Sequence, residues 1–492
     1  MSIRLEEVIG KRLAGDQSQR VIWWKGTWWD AEKVEQKTEE CASILREAGF
    51  QPGSRLAAFL PNSPLVLLLS MAAWRLGGTF APLNPRGGVE WILRILDHLD
   101  PFAVVVGEEM TPLEEAIRGA GIPVVAAPSD GVPPAFTGKR DRIGQDPEIA
   151  VMFATSGTTG APKAVPLTHE NLYDNTKGVH ETIEGFDKGR VLMNILPNFH
   201  SFGYTVSGLM PLVRNLKQTI LASFLPPVES MKAIHASGTN VIVAVPAMLH
   251  FMIIAADKGA PAPRGLKMVV TGGDRLNVQL DAKARAVLGA GVVEGYGLTE
   301  CSPVVAVNNN YEKRRLGTVG PFIGGYEWRL RDDKNADVTA SGEGVLWVRG
   351  PSVTDGYFRD PAMTAERFED GWFNTGDYVR IEEGYVQILD RVTDIIIVGG
   401  FNVYPQEVEA IINSHPSVAQ AVVVGMPHPV NGQVPKAFVQ LKEGAQATSR
   451  ELIDFCKHHL AHFKVPRSVE FMEALPLSST GKVLRRLLRE QK

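Results

Sequence analysis

Apolar positions along the chain fall into short runs of strand length and longer stretches of helical period, with glycine and proline marking the changes. Residues 21–29, VIWWKGTWW, predict a hairpin, because two aromatic runs flank Lys25-Gly26 and glycine supplies the positive φ of a tight turn. The tryptophans read as packing groups. Asp30 then caps a predicted helix through residue 48, with Val34, Cys41, Ile44 and Leu45 near one face and Gly49 as its stop. RLAAFL (55–60), an apolar helix after Asn62, Gly77-Gly78 and TFAPL (79–83) make a strand–helix–strand unit of parallel-sheet type. The alternation recurs at AVVV (103–106), VIVAV (241–245), MVVTGG (268–273) and VVEGYG (292–297), so most of the chain reads as α/β. PAPRG (261–265) reads as a loop and RDDKNAD (331–337) as a hairpin tip.

Near residue 390 the pattern restarts. IIIV (395–398), a helix at 407–414, strands at 418–425 and 436–441, and a helix at 451–460 fill a unit of domain size. The expected organisation is a large N-terminal domain of layered α/β subdomains over 1–390, a hinge at 391–394, and a small mobile α+β domain over 395–492.

Composition narrows the function classes. With 44% hydrophobic and 22% charged residues the chain is an ordinary globular one, not a disordered segment or a membrane bundle. The greasiest stretch, PLVLLLSMAAW (64–74), is shorter than the roughly 20 residues a membrane-spanning helix needs and reads as a buried helix. A balance of 51 Lys+Arg against 55 Asp+Glu, without a long basic run, gives nucleic acid nothing to bind. Cys41, Cys301 and Cys456 are too scattered for a disulfide framework or a zinc site, and MSIRLEEVIGKRLAG lacks the apolar core of a secretory signal. A cytoplasmic protein is expected.

The segment EIAVMFATSGTTGAPK offers an apolar strand, then a Ser/Thr/Gly loop, then a lysine. Gly157 and Gly160 let the backbone approach a polyphosphate; Thr155, Ser156, Thr158 and Thr159 bring hydroxyls; Lys163 brings positive charge. It does not fit the Walker pattern, since no Ser/Thr follows Lys163, so P-loop kinase chemistry is disfavoured.

TSGTTGAPK resembles the phosphate-loop signature of the superfamily of acyl-CoA synthetases, adenylation domains and luciferases. FHSFG (199–203), TGGD (271–274), EGYGLTE (294–300), NTGD (374–377), DRVTDIII (390–397) and STGKVLRR (479–486) follow in that superfamily's order. The resemblance implies ATP, Mg²⁺ and a pantetheine thiol as partners. It implies that Glu300 is the magnesium ligand and that Thr299 bonds near the α-phosphate; the residues alone leave Glu300 equally readable as a turn acid. By the same resemblance Gly272, Gly273, Asp274, Tyr296 and Gly297 form the adenine slot, with Asp274 standing where many relatives have Ala. Asp377 accepts from the ribose hydroxyls and Arg391 donates to them. Lys482 is similar to the lysine that enters the site for adenylation, and Gly399-Gly400 to the loop lining a pantetheine tunnel. The hinge carries Thr393 where relatives commonly have Asp or Lys.

The acid is read from weaker signals. FHSFG lacks the aspartate that amino-acid-activating relatives place after the motif's aromatic, and no charge lies between Val243 and Leu249, which favours an apolar acyl chain. The segments LPNFHSFGYTVSGLMPL and EGYGLTECSPVV resemble bacterial long-chain acyl-CoA and acyl-acyl-carrier-protein synthetases, so a medium- or long-chain fatty acid is expected. His200 lies beside the carboxylate, lines the acyl tunnel, or is a core histidine; Tyr204, by its spacing, gates that tunnel. The acceptor is CoA or an acyl carrier protein. An aryl- or small-acid CoA ligase, or an enzyme loading a stand-alone carrier protein, is the alternative.

Overall fold

The computed structural model describes the chain except residues 1–2, 137–147, 157–161, 188, 262, 264, 277, 333, 399–400, 430, 478–482 and 491–492. It divides into two compact units, Met1–Glu327 with Val348–Phe373, and Trp328–Trp347 with Asn374–Lys492.

In the first unit, the hairpin forms at Lys25-Gly26, where φ values of 46° and 91° give the left-handed turn that Gly26 favours. Asp30 accepts from the Lys33 N–H and starts the helix Ala31–Ala48, whose Val34, Cys41 and Leu45 are buried while Ile44 is half-buried. Strands Arg20–Trp24, Lys217–Ile220, Val191–Asn194, Val241–Ala244, Met268–Thr271 and Gly291–Gly297 pair in that order, all parallel. Antiparallel Thr27–Asp30 and Val304–Val307 close the two edges. A second sheet, of six strands, sets Arg55–Phe59 parallel to Thr79–Pro82 and Ala103–Gly107 and ends in the hairpin Ile149–Ser156/Pro162–Thr168. The greasy segment is the helix Pro64–Arg75, nearly all of it inside the largest apolar core. A continuous apolar run in a helix of this length belongs between layers. Among the described residues no helix is long and apolar enough to cross a membrane.

The strand Trp372–Glu382, which lies in the second unit from Asn374 on, forms an antiparallel hairpin with Tyr385–Arg391, with Asp377 opposite Arg391. A further sheet joins Phe401–Val403, Ile396–Val398, Gly432–Leu441 and Val418–His428, and Ser468–Phe471 runs parallel to Gly432–Leu441. The helices Pro405–Asn413 and Ser449–His459 bury Val408, Ile412, Leu452 and Cys456 in the same apolar core as this sheet.

Candidate active site

The phosphate-loop segment is a hairpin with Thr155 opposite Lys163. Gly157, Thr158, Thr159 and Gly160 lie outside the described residues, and Ser156 is described by its backbone alone. Both strands that carry the tip are fixed in the sheet. The Lys163 Nζ donates to Met363 Sδ at 3.4 Å and stands 6.0 Å from the ring centroid of Tyr357.

Glu300 sits in the single turn Thr299–Cys301 that follows the strand Gly291–Gly297. The chain folds back there because position 297 has no side chain: a Cβ would come 2.1 Å from the Pro303 carbonyl oxygen. Leu298 N–H donates to that same oxygen at 2.9 Å. Asn175 Nδ2 donates to the carbonyls of Cys301 and Val304, at 2.9 and 2.8 Å, and the Tyr326 hydroxyl donates to Cys301 at 2.9 Å. Thr354 N–H takes the Glu300 carbonyl at 2.9 Å. With these backbone acceptors committed, the turn presents its side chains from a fixed base. The Tyr357 hydroxyl donates to Glu300 Oε1 at 2.7 Å, and Thr299 Oγ1 lies 3.1 Å from Ser201 Oγ.

Three motifs meet at Gly272. A Cβ there would lie 3.1 Å from the Gly295 carbonyl oxygen and 3.5 Å from the Phe202 ring, so TGGD, EGYG and FHSFG are mutual neighbours. Gly273 and Gly297 are exposed, Tyr296 is half-buried, and Asp274 is exposed with Oδ1 accepting from the Arg275 N–H at 2.7 Å. Val245 lies beside Gly273, and Phe202, Val245 and Met248 pack half-buried on one apolar cluster. His200 is exposed, and its Nδ1 accepts from Phe202 N–H at 3.3 Å; it is not a core histidine.

Tyr204 does not gate a tunnel. It lies in the π-helix Phe202–Leu209, is 0% exposed, packs against Phe80 and Phe153, and donates to Ser70 Oγ at 2.8 Å. The wider helical turn, which the spacing along the sequence did not reveal, carries it into the core between the sheets.

Glu294 was not anticipated. Its Oε1 accepts from Leu276 N–H at 3.0 Å, tying the strand to the loop after TGGD, and burial pushes its carboxyl up to about 7 despite Arg275 and Arg314 nearby. A folded-state pKa above the unfolded value means stability that is present at acid pH and lost as pH rises through about 7. Glu294→Gln removes that loss, since its carbonyl can still accept from Leu276. The variant's melting temperature relative to the parent is therefore expected to be higher at about pH 8 than at about pH 5. Scanning calorimetry at both pH values checks this; a difference independent of pH would count against it.

In the second unit the Asp377 side chain is 3% exposed and Arg391 Nε lies 2.9 Å from its Oδ1, with the Arg391 side chain 45% exposed. The structure thus brings together the acceptor and the donor that the sequence assigned to a ribose. Buried Asp390 accepts from the N–H groups of Arg391 and Gln406 at 2.8 and 3.2 Å, and burial pushes it up to about 6. In the segment 391–394, the Thr393 carbonyl accepts from Arg489 at 3.2 Å and Asp394 pairs with the same guanidinium. Gly399, Gly400 and Lys482 lie outside the described residues.

Ser201, Tyr357 and Glu294 are the residues of this arrangement that sequence reasoning missed. Ser201 and Glu294 stood inside quoted motifs, and their polarity within apolar surroundings was the available signal. Tyr357 had none.

A strand hairpin ending in lysine, a turn with one presented carboxylate, and glycines beside an aromatic are groups whose chemistry suits a nucleotide polyphosphate and its cation. The AMP-binding enzyme family model matches residues 11–358, and the AMP-binding enzyme C-terminal domain matches 407–482. The chain belongs to the AMP-binding enzymes. It is 30% identical to a long-chain-fatty-acid–CoA ligase of Bacillus subtilis, over 92% of this chain and 88% of that one. A feruloyl-CoA synthase of an Amycolatopsis species is 30% identical, with 92% of each chain covered. The crystal structure of ATP-bound MatB from Rhodopseudomonas palustris superposes with a TM-score of 0.89 at 29% identity, covering 100% of this chain and 99% of that one. This AMP-binding enzyme therefore lies among the adenylate-forming acyl-CoA ligases, AMP-forming acid–CoA ligases that use ATP, Mg²⁺ and CoA. The donor set suits that metal. Glu300 offers hard carboxylate oxygens, one of which is held by Tyr357 while no hydrogen-bond donor among the described residues takes the other.

Proposed function

We propose that this enzyme activates a medium- or long-chain fatty acid. The observation that carries the reading is the apolar cluster shared by Phe202, Val245 and Met248, with Phe202 beside Gly272 and Val245 beside Gly273, and with no charged residue between Val243 and Leu249. An acyl chain gains by leaving water for such a wall, whereas an amino acid would bury an unpaired charge. The name of the Bacillus subtilis relative supports the same reading. A second reading, an aryl acid, is supported by the feruloyl-CoA synthase, whose identity and coverage are comparable.

In the first half-reaction a carboxylate oxygen bonds to the α-phosphorus and pyrophosphate leaves. In the second, a thiol sulfur bonds to the acyl carbon and AMP leaves with the electron pair. Thr155, Ser156, Gly157, Thr158, Thr159, Gly160 and Lys163 hold the phosphates, Thr299 orients the α-phosphate, and His200 lies near the carboxylate. Glu300 would hold Mg²⁺, which supplies charge neutralisation on the triphosphate. Gly272, Gly273, Asp274, Tyr296 and Gly297 receive adenine; Asp377 and Arg391 receive ribose. Lys482 serves adenylation, and Gly399-Gly400 the thiol, after the C-terminal domain turns about 391–394. CoA is the acceptor in this reading, with a carrier protein's phosphopantetheine the other thiol of the same chemistry, and the enzyme acts in the cytoplasm.

The test is acid-dependent pyrophosphate exchange with acetate, octanoate, palmitate, ferulate and amino acids, followed by thioester assays with CoA and with holo-carrier protein. Octanoate or palmitate should give rates at least about 10-fold above the others, the scale on which a few buried methylenes discriminate. A preference for ferulate selects the aryl reading; exchange with amino acids alone defeats both.

A further inference from the structure

We infer that Tyr357 is a positioning residue for adenylation, one side chain that sets both the metal-binding carboxylate of Glu300 and the phosphate-binding ammonium of Lys163. The inference rests on the roles proposed above for those two residues. Tyr357 lies on the segment after the strand Glu343–Arg349, 57 positions from Glu300 in sequence, and its hydroxyl donates to Glu300 Oε1 at 2.7 Å. Lys163 Nζ stands over its ring, 6.0 Å from the centroid, while donating to Met363 Sδ at 3.4 Å.

The tyrosine is itself well held. It is 7% exposed, its ring meets Phe368 edge-on, and its N–H donates to Thr364 Oγ1 at 3.0 Å. Its neighbours grip the strand of Lys163 and the turn of Glu300: Phe358 N–H donates to the Ala164 carbonyl at 2.9 Å, and Thr354 bonds both the Glu300 and Pro166 carbonyls.

The chemical consequence follows from geometry. A glutamate has three side-chain torsions, and a carboxylate free to sample them meets a cation only part of the time. With Oε1 fixed by a buried donor, Oε2 is presented in one direction. A cation over the ring face gains attraction from the π-electrons, which favours Lys163 near Tyr357. The two groups that must meet opposite charges on one triphosphate are thereby spaced by a single rigid ring.

The experiment compares Tyr357→Phe, Tyr357→Leu, Glu300→Gln and the Tyr357→Phe/Glu300→Gln double variant in pyrophosphate exchange, with Mg²⁺ and ATP titrated separately. Phenylalanine keeps the ring under Lys163 and removes only the hydroxyl. It should raise the Mg²⁺ concentration for half-maximal exchange about 10-fold, the scale of a lost hydrogen bond to a charged group, and leave the KM for ATP nearly unchanged at saturating Mg²⁺. Leucine removes the ring as well and should also raise the KM for ATP. The double variant should be no worse than Glu300→Gln alone, because the hydroxyl then has no carboxylate to set. Thioester formation from preformed acyl-adenylate, which involves no triphosphate, should fall far less than pyrophosphate exchange in Tyr357→Phe. A Glu300→Gln enzyme with parental Mg²⁺ dependence would defeat the role of Glu300 itself. A shift in Glu300→Gln with none in Tyr357→Phe would defeat the inference about Tyr357 alone. Equal loss in exchange and thioester formation would make Tyr357 a folding residue and also overturn it.

Discussion

Lys482→Ala is expected to lower acid-dependent pyrophosphate exchange by about 10²- to 10³-fold, the usual cost of deleting one preorganised charge from a polar transition state. In adenylation the carboxylate and the α-phosphate, both anionic, must approach, and a lysine between them offsets the repulsion. Thioester formation from preformed acyl-adenylate involves no such approach, so the variant should retain most of it. The substitution should spare the fold. The residues flanking the Lys482 segment are held: Leu477 forms an antiparallel bridge with Val483, and Leu484 N–H donates to the Pro476 carbonyl at 2.8 Å. Just beyond, Arg485 is gripped by Glu409 through both carboxylate oxygens and donates to the Val423 carbonyl at 2.7 Å. Measuring the two half-reactions separately, on protein that unfolds like the parent, decides the matter. If both fell together, Lys482 would not act on the phosphates.

The parts of this molecule legible in the sequence are those whose causes are local. Lys25-Gly26 makes a turn whatever surrounds it, and Asp30 caps the helix that begins beside it. The periodicity of the apolar runs was enough to show alternating strands and helices, since each strand of a parallel sheet is buried on both faces. The glycine-rich and acidic motifs were legible because ATP chemistry imposes residue types at short spacing. What escaped had causes distant in the chain. Tyr357 bonds a carboxylate 57 positions away, and nothing within VTDGYFRD announces it. At Gly203, in the π-helix Phe202–Leu209, a side chain would strike the Leu196 and Pro197 carbonyls, and Tyr204, read from its spacing as a gate to the acyl tunnel, is buried in the core instead. Glu294 looked like one more motif residue, while its burial depends on how strand and loop close over it.

Gly297→Ala should abolish most of the adenylation activity although it adds a single methyl group. The new Cβ would stand 2.1 Å from the Pro303 oxygen and 2.8 Å from its carbonyl carbon, and both are backbone atoms that cannot rotate aside. The strand and the returning chain must separate by more than an ångström, which breaks the Leu298 to Pro303 hydrogen bond at the root of the turn. Thr299 then leaves Ser201 and Glu300 leaves Tyr357, so both groups that address the triphosphate move together. A displacement of about 1 Å at reacting groups costs on the order of 10²-fold in rate, and overpacking a tight contact costs about 1–3 kcal/mol of stability. The control is Gly10→Ala, in the helix Leu5–Gly15, where a Cβ meets nothing within 4 Å. That change should be neutral or stabilise by up to about 1 kcal/mol through helix propensity. Pyrophosphate exchange and calorimetry on the two variants separate the explanations: a folded Gly297→Ala enzyme exchanging at the parental rate would show that the turn tolerates a side chain and does not set the position of Glu300.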